Sequence, residues 1–261
     1  MTRFCDGAAT ATGRVRRVNE DSYLILPPLY AVADGMGGHG SGDVASALAI
    51  DALTSCVRLL PLSADAVLAT LYEANRAIVD ATVERGEADG MGTTVTGLAL
   101  IETSGGGHMM VFNIGDSRVY RLADGRLDQI TVDHSEAQEL VVAGHLTRDE
   151  ARTYPRRNIV TRALGSDPPP TPDHWLLPAI AGDRYLLCSD GLFSELPDDQ
   201  ILSLLKAGEP QHAADTLVAA ANDAGGRDNI TVIVADIDQD EDDDRAVEGD
   251  TMPRDQLPGR P

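Results

Sequence analysis

Residues 22–46 read SYLILPPLYAVADGMGGHGSGDVAS. The first half, SYLILPPLYAVAD, predicts two short apolar strands joined at Pro27 and Pro28, the second ending on Asp34. The glycine-rich loop after Asp34 breaks the pattern, and Asp43 then opens a helix. Ala45, Leu48, Ala49, Ala52, Leu53, Cys56 and Leu60 recur at helical spacing, so this helix turns an apolar stripe toward a core. A strand pair, a loop with a carboxylate at its mouth and an amphipathic helix therefore follow one another directly.

Working outward, Val67, Leu68, Leu71, Ala74, Ile78 and Val79 predict a second core-facing helix. TTVTGLALI, HMMVFNI and SRVYRLA predict strands, with turns at 104–107 and at Asp124-Gly125. Short helices are expected around Glu136–Ala143 and Thr147–Thr153. A proline-rich break at 168–172 precedes the strand RYLLCSD. Helices near Asp198–Leu205 and Gln211–Asn222 lead to a last strand, NITVIVADI. Strands and helices come in blocks, not in strict alternation, which predicts an α+β fold with a largely antiparallel sheet.

The chain has 261 residues, 43% of them hydrophobic, enough for a sizeable core. Its formal charge of -21 argues against a general nucleic-acid binder and against adhesion to anionic membranes, which need a basic face. No leader-like apolar run and no membrane-spanning stretch is read from the sequence, so a soluble, cytoplasmic protein is expected. Cys5, Cys56 and Cys188 make neither a closed disulfide set nor a metal-type pair. The segment from Asp238 onward carries nine acidic residues and three arginines with no apolar periodicity. It is expected to be an acidic disordered tail, 238–261, following a folded domain of 1–237.

Asp34, Asp116, Asp190 and Asp228 lie in AVADGMGG, FNIGDSR, LLCSDG and GGRDNITV, each at the end or start of an apolar strand. One such aspartate is more simply a turn residue. Four of them on strands sharing a core would bring carboxylates together, and such a cluster repels itself unless divalent cations neutralise it. An all-oxygen donor set without histidine or cysteine at ligand spacing indicates magnesium or manganese, not zinc. RRVNEDS adds Arg16, a potential bidentate phosphate ligand, beside Glu20 and Asp21, although a charged turn before a strand would look the same.

Taken in order, RRVNEDS, VADGMGGHGSGDVAS, GTTVTGLAL, VFNIGDSRVYR, TVDHS, NIVTRALG, LLCSDGL and RDNITVIVA resemble the bacterial branch of the type 2C, metal-dependent serine/threonine protein phosphatases. The resemblance runs from about Thr12 to Asp236. It implies a two-sheet antiparallel β-sandwich flanked by helices on both sides, a metal centre in a cleft at one end and a flap over it, here about 135–167. It also implies that Asp34 bridges two core metals and that the Gly35 carbonyl completes the second site. Asp190 and Asp228 match ligands of the first metal. Glu20 and Asp21 match residues that hold metal-bound waters, and Asp116 a ligand of a third metal shared with Asp190. Arg16 matches the guanidinium that grips substrate phosphate, and His39 the acid that protonates the leaving group. A metal-bound water is the competing proton source.

The implied activity is hydrolysis of phosphoserine and phosphothreonine in proteins with two Mn2+ or Mg2+ ions and possibly a third. Two ions ~4 Å apart can activate a shared water for in-line attack on phosphorus, with no phosphoenzyme. The expected partners are phosphorylated proteins and an opposing Ser/Thr kinase, with the chain itself a monomer. His134 is expected to fix the start of the flap, and Gly92, Thr93 and Thr94 to pack closely near the cleft. Arg156 and Arg157 read either as an exposed pair or as a phosphopeptide contact. Tyr154 stands where many relatives carry histidine, and Cys188 reads as an inert core residue. Two alternatives compete: a phosphatase-like sensor or scaffold without turnover, and a dinucleotide-binding turn, since Gly35, Gly37 and Gly40 satisfy G-x-G-x-x-G. Against the second, Asp34 would face the pyrophosphate and no second strand ends in an acid at the right distance.

Overall fold

Strands buried on both faces organise the chain. In the computed structural model, which describes residues 2–37, 41–59, 61–86, 90–103 and 106–239, successive residues of the central strands point alternately into two different cores. The strands are β1 Thr2–Ala11, β2 Asp21–Leu26, β3 Leu29–Gly37, β4 Met91–Thr93, β5 Val95–Thr103, β6 Gly106–Ile114, β7 Arg118–Ala123, β8 Arg126–Gln129, β9 Asp173–Pro178, β10 Arg184–Cys188 and β11 Ile230–Gln239. The helices are α1 Gly42–Cys56, α2 Ala64–Arg85, α3 Glu136–Val142, α4 Arg148–Thr153, α5 Asp190–Phe193, α6 Asp198–Leu205 and α7 Pro210–Ala224, with one 3-10 turn at Val57–Leu59.

One sheet runs β1-β11-β10-β7-β8 and the other β2-β3-β5-β6-β9, with β4 paired to the end of β3. Every paired strand is antiparallel to its neighbour. Tyr30, Val32, Leu98, Met109 and Val111 from the second sheet meet Tyr185, Leu187, Ile233 and Ala235 from the first in the inter-sheet core. Their neighbours Leu29, Ala31, Ala33 and Phe112 face outward to α1 and α2. On the far side Leu186, Cys188, Val232 and Val234 face Ile201, Leu205 and Leu217 of α6 and α7. The result is an α+β fold of two antiparallel sheets sandwiched between helix layers. This double burial explains why LYAVA and RYLLC read as continuous apolar runs and not as alternating ones.

The structure extends the sequence reading in several places. β3 continues past Asp34 to Gly37, because Gly35, Met36 and Gly37 pair with β4. β1 has no clear apolar signature: its Gly7, Ala8, Ala9 and Thr10 are small, and the strand exists because it pairs with β11 over its whole length. Its outer edge is covered at Ala8, where the Gln211 side chain donates to the carbonyl at 2.9 Å and accepts from the amide at 3.2 Å. β8, β9 and the single turn of α5 are likewise additions. The last strand runs to Gln239, two residues beyond the expected boundary at 237. Leu60 of the α1 stripe, and residues 240–261 of the expected tail, lie outside the described residues.

Segment 135–167, expected as a flap, is an excursion between β8 and β9 that contains α3 and α4. Bridges Ser135↔Val160 and Thr93↔Leu164 close its base. The buried Asn75 of α2 accepts from the Gly165 amide at 2.8 Å and donates to the Ser166 carbonyl at 3.0 Å, fixing its return. Among the described residues no helix is long and apolar enough to cross a membrane.

Gly97 of β5 sits opposite Phe112, whose ring lies in the space a Cβ would take. Gly97→Ala must displace that buried ring and should cost about 1–3 kcal/mol, read as a lower midpoint in chemical denaturation. An unchanged midpoint would contradict this packing.

Candidate metal centre

The hairpin of β2 and β3 sets the first two carboxylates face to face, since Asp21 and Asp34 are register partners. The backbone of Asp34 is fully engaged. Its amide donates to Thr94 Oγ1 at 3.1 Å, and its carbonyl accepts from the Thr94 amide and Thr93 Oγ1, both at 2.9 Å. Thr93 and Thr94 thus frame this residue, as their sequence position suggests. Gly35 follows, with its amide on the Glu20 carbonyl at 3.2 Å. A Cβ on Gly35 would overlap the Gly42 carbonyl, so the start of α1 can approach only a glycine here.

The other sheet contributes Asp190, where β10 passes into α5, and Asp228, just before β11. Asp116 comes from the turn between β6 and β7. All five carboxylates therefore hang from strand ends at one end of the sandwich, and Asp21, Asp34, Asp116 and Asp190 are each perturbed by neighbouring acids. Burial, followed by repulsion from Asp21, Asp190, Asp116 and Asp228, holds the Asp34 carboxyl well above the ordinary range. Asp190 is pushed up the same way, by burial and then by Asp116, Asp228 and Asp21, with Arg16 opposing. Burial and then Asp133 raise Asp116 to about 7. Burial raises Asp21 to about 6, against the hydrogen bonds it receives, with Asp228 adding repulsion.

Asp21 gives the most direct sign that a cation belongs here. Its Oδ2 accepts from Ser189 Oγ at 2.8 Å, while its Oδ1 is buried with no hydrogen-bond partner. An unpaired buried carboxylate oxygen is costly unless a cation or donor satisfies it. Together with the all-oxygen character of the set, this fits a hard divalent cation. Among the described residues no three of these groups already close around one common point. They stand near enough to repel one another, in an open arrangement.

The neighbouring residues have distinct tasks. Glu20 spends Oε1 on the Gly42 amide at 3.2 Å, at the start of α1, and its carbonyl accepts from Ser46 Oγ at 2.6 Å. Arg16 Nη2 lies 2.7 Å from Asp228 Oδ2, its side chain half-exposed. His39 lies outside the described residues. Two positioning residues escaped the sequence reading. Asn229 is buried and donates to the carbonyls of Thr12 and Val18 at 3.0 and 2.9 Å while accepting from the Glu20 amide at 2.9 Å. It thereby ties the whole 12–20 loop to the start of β11. Ser189, also buried, accepts from the Thr231 amide at 2.9 Å while donating to Asp21. Their only signal in the sequence is a polar residue beside an aspartate at the end or start of an apolar strand.

His134 is structural, as expected. Its Nδ1 accepts from the Gly115 amide at 3.0 Å, so the proton of the neutral ring sits on Nε2, 3.1 Å from Asp173 Oδ2. Burial holds its pKa below the usual histidine value. Arg118, of the GDSR motif, is turned away into a fork with Asp133 at 2.7–3.1 Å and stacks 3.6 Å above the Phe193 ring. Arg156 pairs with Glu136 at 2.7 Å, and the Tyr154 hydroxyl donates to the same carboxylate at 3.0 Å. Cys188 is buried and its thiol is pushed up, which fits an inert core residue. The dinucleotide alternative fails on topology: it needs a parallel strand–helix–strand unit, and among the described residues β3 has only antiparallel neighbours.

A cleft of about 1000 Å³ opens at this end, with Asp116 and Asp190 among the residues that line it. Phe193 and Arg227 line it, as do Val141, Arg148, Arg152 and Arg157 of the 135–167 segment.

Residues 17–222 match the family described as Protein phosphatase 2C. The chain is 43% identical over 235 residues to the serine/threonine protein phosphatase PstP of Mycobacterium tuberculosis, covering 88% of this chain but only 44% of that protein. With the serine/threonine phosphatase stp of Listeria monocytogenes it shares 35% identity over 241 residues, 88% of this chain and 94% of that one. The catalytic domain of PstP, solved in complex with two manganese ions, superposes with a TM-score of 0.84 at 38% identity, covering 92% of this chain and 100% of that one.

The raised carboxyls give a signed pH dependence. Folded Asp21 and Asp116 keep protons up to about 6 and about 7, whereas the unfolded chain releases them near 3.8. In chelator, their contribution to stability is fully present below pH 3.8 and is lost as pH rises through 6 and 7. Thermal unfolding in EDTA should therefore show a falling Tm across that window. Mn2+ should raise Tm more above the window than below it. A Tm independent of pH, or of Mn2+, would contradict the assignment.

Proposed function

The chain belongs to the protein phosphatase 2C family, and from that membership we propose that it hydrolyses phosphoserine and phosphothreonine in proteins with the aid of Mn2+ or Mg2+. The observation that carries the proposal is the gathering of Asp21, Asp34, Asp116, Asp190 and Asp228 from both sheets, with one buried oxygen of Asp21 unpartnered. Asp34, the Gly35 carbonyl, Asp190 and Asp228 would hold two core ions, and Asp116 with Asp190 a third. Asp21 has an oxygen to offer directly. Glu20, with Oε1 on the helix start, has only its second oxygen left for an ion or its waters.

When bound, divalent cations supply the Lewis acidity that activates water and neutralises phosphoryl charge. The chain's own residues do the rest. Arg16, 51% exposed and anchored at Asp228, presents guanidinium N–H groups to the phosphoryl oxygens and stabilises their charge in the transition state. Asn229 holds the loop that carries Arg16, so its geometry is set before substrate arrives. No protein nucleophile is required: Cys56 and Cys188 are buried and Cys5 lies on β1. His39 donates the proton to the leaving alkoxide.

The substrates are phosphorylated proteins, with a Ser/Thr kinase as the opposing enzyme, and the chain acts as a cytoplasmic monomer. Residues up to Gln239 make the catalytic domain. Because the chain spans under half of PstP, these assignments concern the segment matched here.

Phosphopeptide hydrolysis should need Mn2+ or Mg2+, vanish in EDTA and be lost in Asp34→Ala and Asp190→Ala. Arg16→Ala should lower kcat/KM by roughly 10²–10³. Full activity in EDTA or in both aspartate variants would overturn the mechanism, and cation-dependent peptide binding without turnover would favour a sensor or scaffold. His39→Ala should slow poor leaving groups more than an activated aryl phosphate. Equal losses on both would remove His39 as the acid.

A further inference from the structure

The 135–167 segment lines the cleft with three arginines; Arg157 feels the Glu195 carboxylate, but the fold does not explain the placement of the other two. Arg148 and Arg152 lie one turn apart on α4, both exposed and both lining the cleft that Asp116 and Asp190 also line. Like charges at this spacing destabilise a helix, and a cation in the first turn opposes the helix dipole. The helix start is already served by the capping box of Thr147 and Glu150. Neither guanidinium group has a hydrogen-bond or ion-pair partner among the described residues. Of the acids on the same walls, Asp133 is held by Arg118 and Asp128 by Arg126. Asp149 and Asp198 also line the cleft and bond to neither arginine.

The surroundings make these positions more unusual. A chain of formal charge -21 repels acidic segments at long range. Two uncompensated guanidinium groups inside the cleft act at short range, where that bulk field matters least. We propose that Arg148 and Arg152 form a second anion subsite. It binds a negatively charged side chain, a carboxylate or a second phosphate, that flanks the phosphoresidue being hydrolysed. The chain therefore selects acidic or multiply phosphorylated segments of its substrates. This rests on the phosphatase reading above and names its substrate class.

The test is a set of phosphothreonine peptides of equal length that differ only in one flanking residue. That residue is neutral, glutamate or a second phosphothreonine, stepped along each flank. Wild-type protein with Mn2+ should favour the charged peptides at one flank by about three- to tenfold in kcat/KM, chiefly through KM, and less so at high salt. The Arg148→Gln/Arg152→Gln double variant should lose that preference while hydrolysing the neutral peptide and an aryl phosphate at the wild-type rate. A larger gain for the second phosphate than for glutamate identifies phosphate as the preferred anion; equal gains identify charge alone. Turnover without any preference, or a preference that survives in the double variant, overturns the subsite alone. Absence of turnover on every substrate overturns the phosphatase reading and the subsite with it.

Discussion

Five carboxylates gathered at one end of the sandwich repel one another, and much of the local structure serves to hold them there. Asp21 and Asp34 are opposed by strand register, a constraint that cannot slip without turning the strand inside out. Asp190 and Asp228 come from the other sheet, so the two sheets must stay clamped together for the set to exist. That clamp is the inter-sheet core built on Tyr30, Val32, Tyr185, Leu187 and Ile233. The stability lost in crowding acids together is offset by burial on both faces of each sheet. Such a division between a strained site and a well-packed frame is common where activity and stability compete.

Hydrogen bonds complete what packing begins. Asn229 and Ser189 use every polar atom of their side chains to bind loop 12–20 and Asp21 to the β10 and β11 ends. Thr94 and Thr93 do the same for Asp34. Arg16 is the cationic counterpart, paired with Asp228 at the rim. A phosphate approaching this end meets that guanidinium and whatever cations the acids hold, not the bulk negative charge of the chain. This is how a protein of formal charge -21 can admit an anion to this end.

Much of this was readable from sequence, for physical reasons that differ by element. LYAVA, RYLLC and NITVIVA stand out because both of their faces are buried. β1 does not, since Gly7 to Thr10 are small and its existence depends on β11, over two hundred residues away. β9 is an edge strand with exposed Leu176, so it lacks the same apolar continuity. The aspartates were visible because each adjoins a strand end and a turn. Asn229 and Ser189 were not, because their partners Thr12, Val18 and Asp21 are distant in the chain and a lone polar residue predicts no partner. The engagement of Glu20 at the start of α1 depends on a loop approach that no local pattern encodes.

The central claim is that these acids form a cation site spanning both sheets. Direct counting of bound Mn2+ by electron paramagnetic resonance, on wild-type protein and on Asp34→Asn and Asp228→Asn, tests it most directly. The account predicts at least two ions per chain in the wild type and loss of ions in each variant, one from either sheet. Unchanged stoichiometry in both variants would contradict it.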